Sequence, residues 1–164
     1  MIKGVKIFKD TIFKDKRGYI WTSYQKKRHE LNYVHDKFSS SKKNVLRGLH
    51  GDKKTWKLVS CVFGEVFFVV VNFNSKSRDY KKYTSLKLNY KNNKQILVPP
   101  NFLNGFLCLS NECLFHYKLF YKGNYFDSDK QISIKWNDPS INIKWPNKKF
   151  TISKNDKKLK KVIL

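Results

Sequence analysis

The chain is 164 residues long, which suits one domain with a sizeable core, and it carries a formal charge of +23. Its lysines are spread along the whole length, which argues against a specific nucleic-acid surface and leaves only salt-sensitive attraction to polyanions. Three cysteines cannot all pair and form no CxxC, and the longest apolar run, Val66 to Val71, is too short for a bilayer, so a disulfide scaffold, a thiolate metal site and a membrane helix are excluded.

The opening Met1 to Lys6 lacks the apolar stretch of a secretory signal, and with Cys61, Cys108 and Cys113 read as buried free thiols the expected location is the cytoplasm. Alternation over Ile2 to Phe8 predicts a half-buried strand. Phe13 to Gly18 reads as a turn with Arg17 at its exit, and Tyr19 to Thr22 resumes strand chemistry. Gln25 to Leu31 is a short helix, Tyr33 to Ser39 a strand, and the cluster Ser39 to Asn44 a loop.

Val45-Leu46-Arg47-Gly48-Leu49-His50 then packs an arginine, a glycine and a histidine among apolar residues. In a regular strand Arg47 and His50 point to opposite faces; they share a cavity only if Gly48 bends or bulges the strand. The plainer alternative is an edge arginine and a half-buried, hydrogen-bonded histidine.

Trp56 to Phe63 and Val66 to Phe73 flank Gly64-Glu65, which suits a tight hairpin, and the second run is expected to be covered on both faces. Tyr83 to Leu88 and Gln95 to Val98 are shorter strands. Pro99 to Phe102 is a rigid extended lead into Leu103 to Leu107, and Cys113 to Tyr121 is another strand before a Gly123-Asn124 turn. Trp136 to Pro139 is a turn, followed by a strand from Ile141 to Trp145 that Pro146 stops. Many short strands, almost no helix, no repeat and no linker predict a single all-β domain, a sandwich or barrel.

An ordered series of these stretches resembles the sugar-nucleotide 3,5-epimerase family typified by dTDP-4-dehydrorhamnose 3,5-epimerase. It runs through Phe13 to Gly18, Val45 to His50, Lys57-Leu58-Val59, Gly64-Glu65-Val66, Pro99 to Phe106, Tyr117-Lys118, Trp136 to Pro139, Ile143 to Pro146 and Ile152 to Asp156. The resemblance implies a cupin-type double-stranded β-helix, or jelly-roll barrel, without a cofactor. It also implies a homodimer in which the N-terminal strands, about residues 1–24, reach into the neighbour. Some positions depart from the family pattern: His35-Asp36-Lys37 stands for Gln-Asp-Asn, Gly51-Asp52 follows the motif histidine where many members have Tyr, and Asn104 replaces a His. That set resembles a branch acting on GDP-activated 4-keto-heptoses or related sugars.

The implied reaction inverts C3, C5 or both in a nucleotide-linked 4-keto-6-deoxy sugar, serving surface polysaccharide synthesis. The 4-keto group acidifies the flanking C–H bonds, so inversion needs a base on one face, an acid on the other and a positive partner for the enolate oxygen. By the resemblance, His50 is the base, oriented by Asp156; Tyr117 is the acid and Lys57 the enolate partner. Alone, the sequence leaves Asp156 as a solvated acid in a lysine-rich tail; with the resemblance, that tail is expected to fold back over the barrel. Arg47, and Arg17 from the partner subunit, would hold the pyrophosphate, while Asn104, His35 and Lys37 would bind other parts of the substrate. No HxH and no metal-cupin spacing joins His29, His35, His50 and His116, so no metal is expected, and no hydrolase signature occurs. A 3,4-ketoisomerase on the same scaffold and a non-catalytic binding module stay open as alternatives.

Overall fold

The computed structural model describes residues 2–125 and 130–159. Its centre is β7 (Glu65–Asn72), whose apolar run lacks alternation because both of its faces are covered. Val66, Phe68 and Val70 join the core between two sheets, and Phe67, Val69 and Val71 join a second cluster behind one of them. The remaining elements are β1 (Lys6–Lys9), β2 (Ile12–Asp15), β3 (Gly18–Trp21), α1 (Lys26–His29), β4 (His35–Lys42), β5 (Leu46–Gly51) and β6 (Trp56–Phe63). They continue with β8 (Tyr83–Asn89), β9 (Lys94–Val98), β10 (Phe102–Cys108), β11 (Glu112–Phe120), β12 (Ile132–Ser133) and α2 (Lys154–Lys158).

The first sheet runs β1-β9-β6-β11-β4 and the second β12-β5-β10-β7-β8, antiparallel throughout, as in a jelly roll. Between them lie Val59, Cys61, Phe115 and Cys113 from the first sheet and Phe68, Phe102, Phe106 and Cys108 from the second. All three cysteines are free and buried. Behind the second sheet, Leu49, Val69, Val71 and Leu103 are covered by Ile134, Ile141 and Trp145.

Several local expectations change. Gly64 does not close a hairpin: β6 and β7 belong to different sheets, and Gly64 carries the chain over the corner between them. A Cβ there would lie 2.1 Å from the Glu112 carbonyl oxygen, so only glycine lets the corner pack this closely. The serine cluster is not a loop, because β4 continues through Ser39, Ser40 and Ser41 to Lys42 in register with β11. Ladder pairing and burial of Ser41 override the loop-like composition.

Ile141 to Trp145 forms no strand. Its side chains cover the second cluster while Asn142 sits at φ 53°, which breaks an extended ladder. Pro100-Asn101 is a turn and not an extended lead, with Asn101 at φ 65°. The first strand is shorter than alternation suggested, starting at Lys6 after a turn at Gly4, and the short helix spans only Lys26–His29.

The N-terminal segment divides in two. β1 pairs with β9 of its own chain, whereas among the described residues β2 and β3 pair only with each other. On that hairpin Phe13 and Ile20 are cross-strand neighbours and both are exposed.

Candidate active site

At one end of the space between the sheets the packed core gives way to a cavity of about 880 Å³. The inward faces explain the change. On β11, Cys113, Phe115, Tyr117 and Leu119 alternate inward, and Tyr117 pairs with Val59 while Leu119 pairs with Lys57 of β6. On β10 the inward set is Phe102, Asn104, Phe106 and Cys108. Each strand is therefore apolar along most of its inner face and polar at one position, and the polar positions line the cavity.

β5 supplies two side chains through an irregularity. Asn104 pairs with His50 but Phe106 pairs with Arg47, so β5 holds one residue more than β10 between these rungs. The extra residue turns Leu49 outward into the rear cluster and leaves Arg47 and His50 both lining the cavity. Gly48 makes this possible: its φ is 121°, and a Cβ there would lie 2.6 Å from Gly105 Cα.

The C-terminal tail closes over the same end. Thr151 forms a parallel bridge to Val45, with Leu46 N–H donating to the Thr151 carbonyl at 3.0 Å and Thr151 N–H to the Asn44 carbonyl at 2.8 Å. Ser153 then caps α2 by accepting from the Asp156 N–H at 3.0 Å. This places Asp156 Oδ1 2.9 Å from His50 Nε2, while His50 Nδ1 lies 2.6 Å from Ser133 Oγ. Burial alone would raise the Asp156 pKa. The His50 hydrogen bond and charge, with the Gly48 N–H and the Ser153 hydroxyl, outweigh it and hold the carboxyl below its ordinary value.

Lys57 crosses from the first sheet to the second. Its Nζ donates to Asn104 Oδ1 at 3.0 Å and to the His50 carbonyl at 3.3 Å. Burial pulls its pKa down to about 8, with the Asp52 charge opposing and Lys37 adding to the shift. Burial also pushes the Tyr117 hydroxyl well above its usual range, against the pull of the Arg47 guanidinium. That phenol is therefore held protonated. Arg47 is aimed by Ser41 Oγ at 2.9 Å and the Ser40 carbonyl at 3.1 Å.

Of the residues singled out from sequence, His50, Tyr117, Asp156, Lys57, Arg47, Asn104 and Lys37 line this one cavity. Two do not. Arg17 sits at the tip of the β2–β3 hairpin, paired with Asp15. His35 stands behind the wall, its Nδ1 3.2 Å from the Tyr121 hydroxyl and its ring 5.0 Å from that of Tyr125, which does line the cavity. Lys37 Nζ lies 4.6 Å from the Tyr125 ring centroid. Sequence reasoning passed over Ser133 and Tyr125; the alternation Ile132-Ser133-Ile134 was the available signal for the first.

The comparisons with known proteins point the same way. The dTDP-4-dehydrorhamnose 3,5-epimerase family matches residues 1–163. The chain belongs to that family. Among its relatives, the dTDP-4-dehydrorhamnose 3,5-epimerase of Salmonella typhimurium is 38% identical over 146 residues, covering 84% of this chain and 78% of the relative. The same-named protein of Methanothermobacter thermautotrophicus is 32% identical over 145 residues, 84% of this chain and 77% of that one. The dTDP-6-deoxy-D-glucose-3,5-epimerase of Legionella pneumophila, solved with dTDP-4-keto-L-rhamnose, superimposes with a TM-score of 0.91 at 34% identity, covering 98% of this chain and 88% of the other. Membership makes the fold a cupin jelly roll and the chain an isomerase, an epimerase of nucleotide-linked 4-keto sugars acting at C3, C5 or both.

Proposed function

We propose that His50 removes the proton next to the 4-keto group and that Tyr117 returns one from the opposite face. The observation that carries this reading is that the two side chains come from opposing sheets and line one hollow. As the C–H bond breaks, its electron pair delocalises onto the C4 oxygen as an enolate, and the Lys57 ammonium is the cation beside it. The Tyr117 hydroxyl then protonates the carbanion carbon from the other side, which inverts the centre. Asp156 holds the imidazole and stabilises the imidazolium it becomes.

Arg47 and Lys37 supply charge for the pyrophosphate, Asn104 binds the sugar, and His35 acts through the Tyr125 wall. The sugar is a 4-keto-6-deoxy hexose or heptose. The names of the relatives favour a dTDP carrier; the set His35-Asp36-Lys37, Gly51-Asp52 and Asn104 motivates a GDP carrier as the second substrate to assay.

The functional unit in this reading is a cytoplasmic homodimer. Exposed Phe13 and Ile20 are the apolar surface the β2–β3 hairpin would bury in its neighbour, bringing the guanidinium of Arg17 to the partner's cavity. β1, paired in its own chain, stays out of that exchange.

The test is incubation with dTDP- and GDP-linked 4-keto sugars in heavy water. Deuterium entering C3 or C5 with inversion is the expected result. A product in which the carbonyl has moved would instead make the enzyme a 3,4-ketoisomerase, and no exchange with either carrier would contradict catalysis. In sedimentation the protein should run as a dimer, and Ile20→Asp as a monomer.

A further inference from the structure

His50 has a partner on each ring nitrogen, and the two partners differ in what they can do. Asp156, held ionised, only accepts, so His50 Nε2 carries a hydrogen in both protonation states of the ring. The neutral ring then has its lone pair on Nδ1, where the partner is the Ser133 hydroxyl at 2.6 Å. A hydroxyl has one donor and two acceptor sites, so it can serve that nitrogen in either state.

We propose that Ser133 is a positioning residue that selects Nδ1 as the base nitrogen of His50 and follows its protonation by changing from donor to acceptor. The proposal rests on His50 being the base. In the resting enzyme the Ser133 O–H donates to Nδ1. Substrate binding turns the Ser133 hydroxyl off the Nδ1 lone pair and into the cavity that Ser133 lines. When the substrate C–H bond breaks, its electron pair passes to the enolate and its proton goes to Nδ1 along the freed lone pair. Once the reacting carbon withdraws, Ser133 Oγ returns and accepts from the new Nδ1–H.

The backbone holds this contact in place. Ser133 pairs with His50 between β12 and β5, and on its flank Ile134 and Leu49 exchange N–H bonds of 3.1 and 3.3 Å. Ile132 and Ile134 on either side pack in the rear cluster, which turns the serine between them toward the imidazole.

The test combines nitrogen NMR of His50 with exchange kinetics. In the wild-type enzyme near neutral pH, Nε2 should be the protonated nitrogen and Nδ1 a pyridine-type nitrogen shielded by an accepted hydrogen bond. A neutral ring protonated on Nδ1 would overturn the proposal without any variant. Ser133→Ala should move the Nδ1 resonance toward that of a free pyridine-type nitrogen, leave Nε2 unmoved, and slow deuterium exchange roughly tenfold with KM unchanged within about twofold. Ser133→Thr, which keeps the hydroxyl, should restore both the resonance and most of the rate. An unmoved Nδ1 resonance or a wild-type exchange rate in Ser133→Ala would overturn the role of Ser133. A wild-type exchange rate in His50→Asn would instead overturn the choice of His50 as base, and the Ser133 role with it.

Discussion

The two ends of the space between the sheets are built from the same strands and do opposite work. At one end Phe68, Phe106 and Phe115 are fully buried, with ring centroids 4.5 to 5.5 Å apart. Two residues further along β10 and β11, Asn104 and Tyr117 replace the aromatic pair, and a cavity opens. The apolar end holds the sheets together through buried area. At the polar end Lys57 keeps a charge where burial disfavours it, which costs stability and, in the proposed reaction, puts a cation beside the enolate. A jelly roll thus separates stability from chemistry along a strand, by position and not by domain.

The sharpest way to break that division is a pair of substitutions. His50→Asn should slow epimerisation at least about a thousandfold, about 4 kcal/mol of barrier, while leaving the unfolding midpoint nearly unchanged. Phe106→Ala should cost about 3–5 kcal/mol of stability in denaturant titration, since it empties the centre of the apolar end. If the two effects trade places, the two ends are not separate.

Gly48→Ala should affect both ends. Its φ of 121° and the approach to Gly105 forbid a side chain, so β5 must shift, costing about 2 kcal/mol and displacing Arg47 and His50 together. Unfolding and rate should fall in parallel in that variant alone.

The smallest effect expected is a pH limb. A lysine with its pKa lowered to about 8 is charged below that pH and neutral above it, so in the proposed reaction the enolate loses the Lys57 charge as pH rises. The rate should therefore decline through about pH 8. Lys57→Arg, always charged, should remove that limb whatever it does to the absolute rate.

How far the sequence could be read depended on the range of the interaction. The unbroken apolar run at Val66 to Val71 gave its two covered faces correctly, because burial acts directly on residue type. Gly48 marked where a bulge was possible but not that one forms; that depends on its approach to Gly105 on β10, which sequence does not show. Gly64-Glu65 misled because a tight turn in a hairpin and a corner between sheets use the same residue for the same local reason. What differs is the partner strand, far away in the chain: β11 and β9 for β6, β10 and β8 for β7. Ser39 to Ser41 misled similarly, since pairing with β11 overrode composition. Ser133 lay unseen because one serine between isoleucines has no signature until β12 sets it opposite His50.

The central claim is that His50 and Tyr117 serve opposite faces of one substrate, and it predicts that removal and return of the proton can be uncoupled. The direct measurement is deuterium incorporation and stereochemistry at the carbons flanking the ketone in Tyr117→Phe. With the base intact and the opposing acid gone, deuterium should enter with retention of configuration, returned by His50 to the face it left. Inversion at the wild-type rate in Tyr117→Phe would contradict the claim.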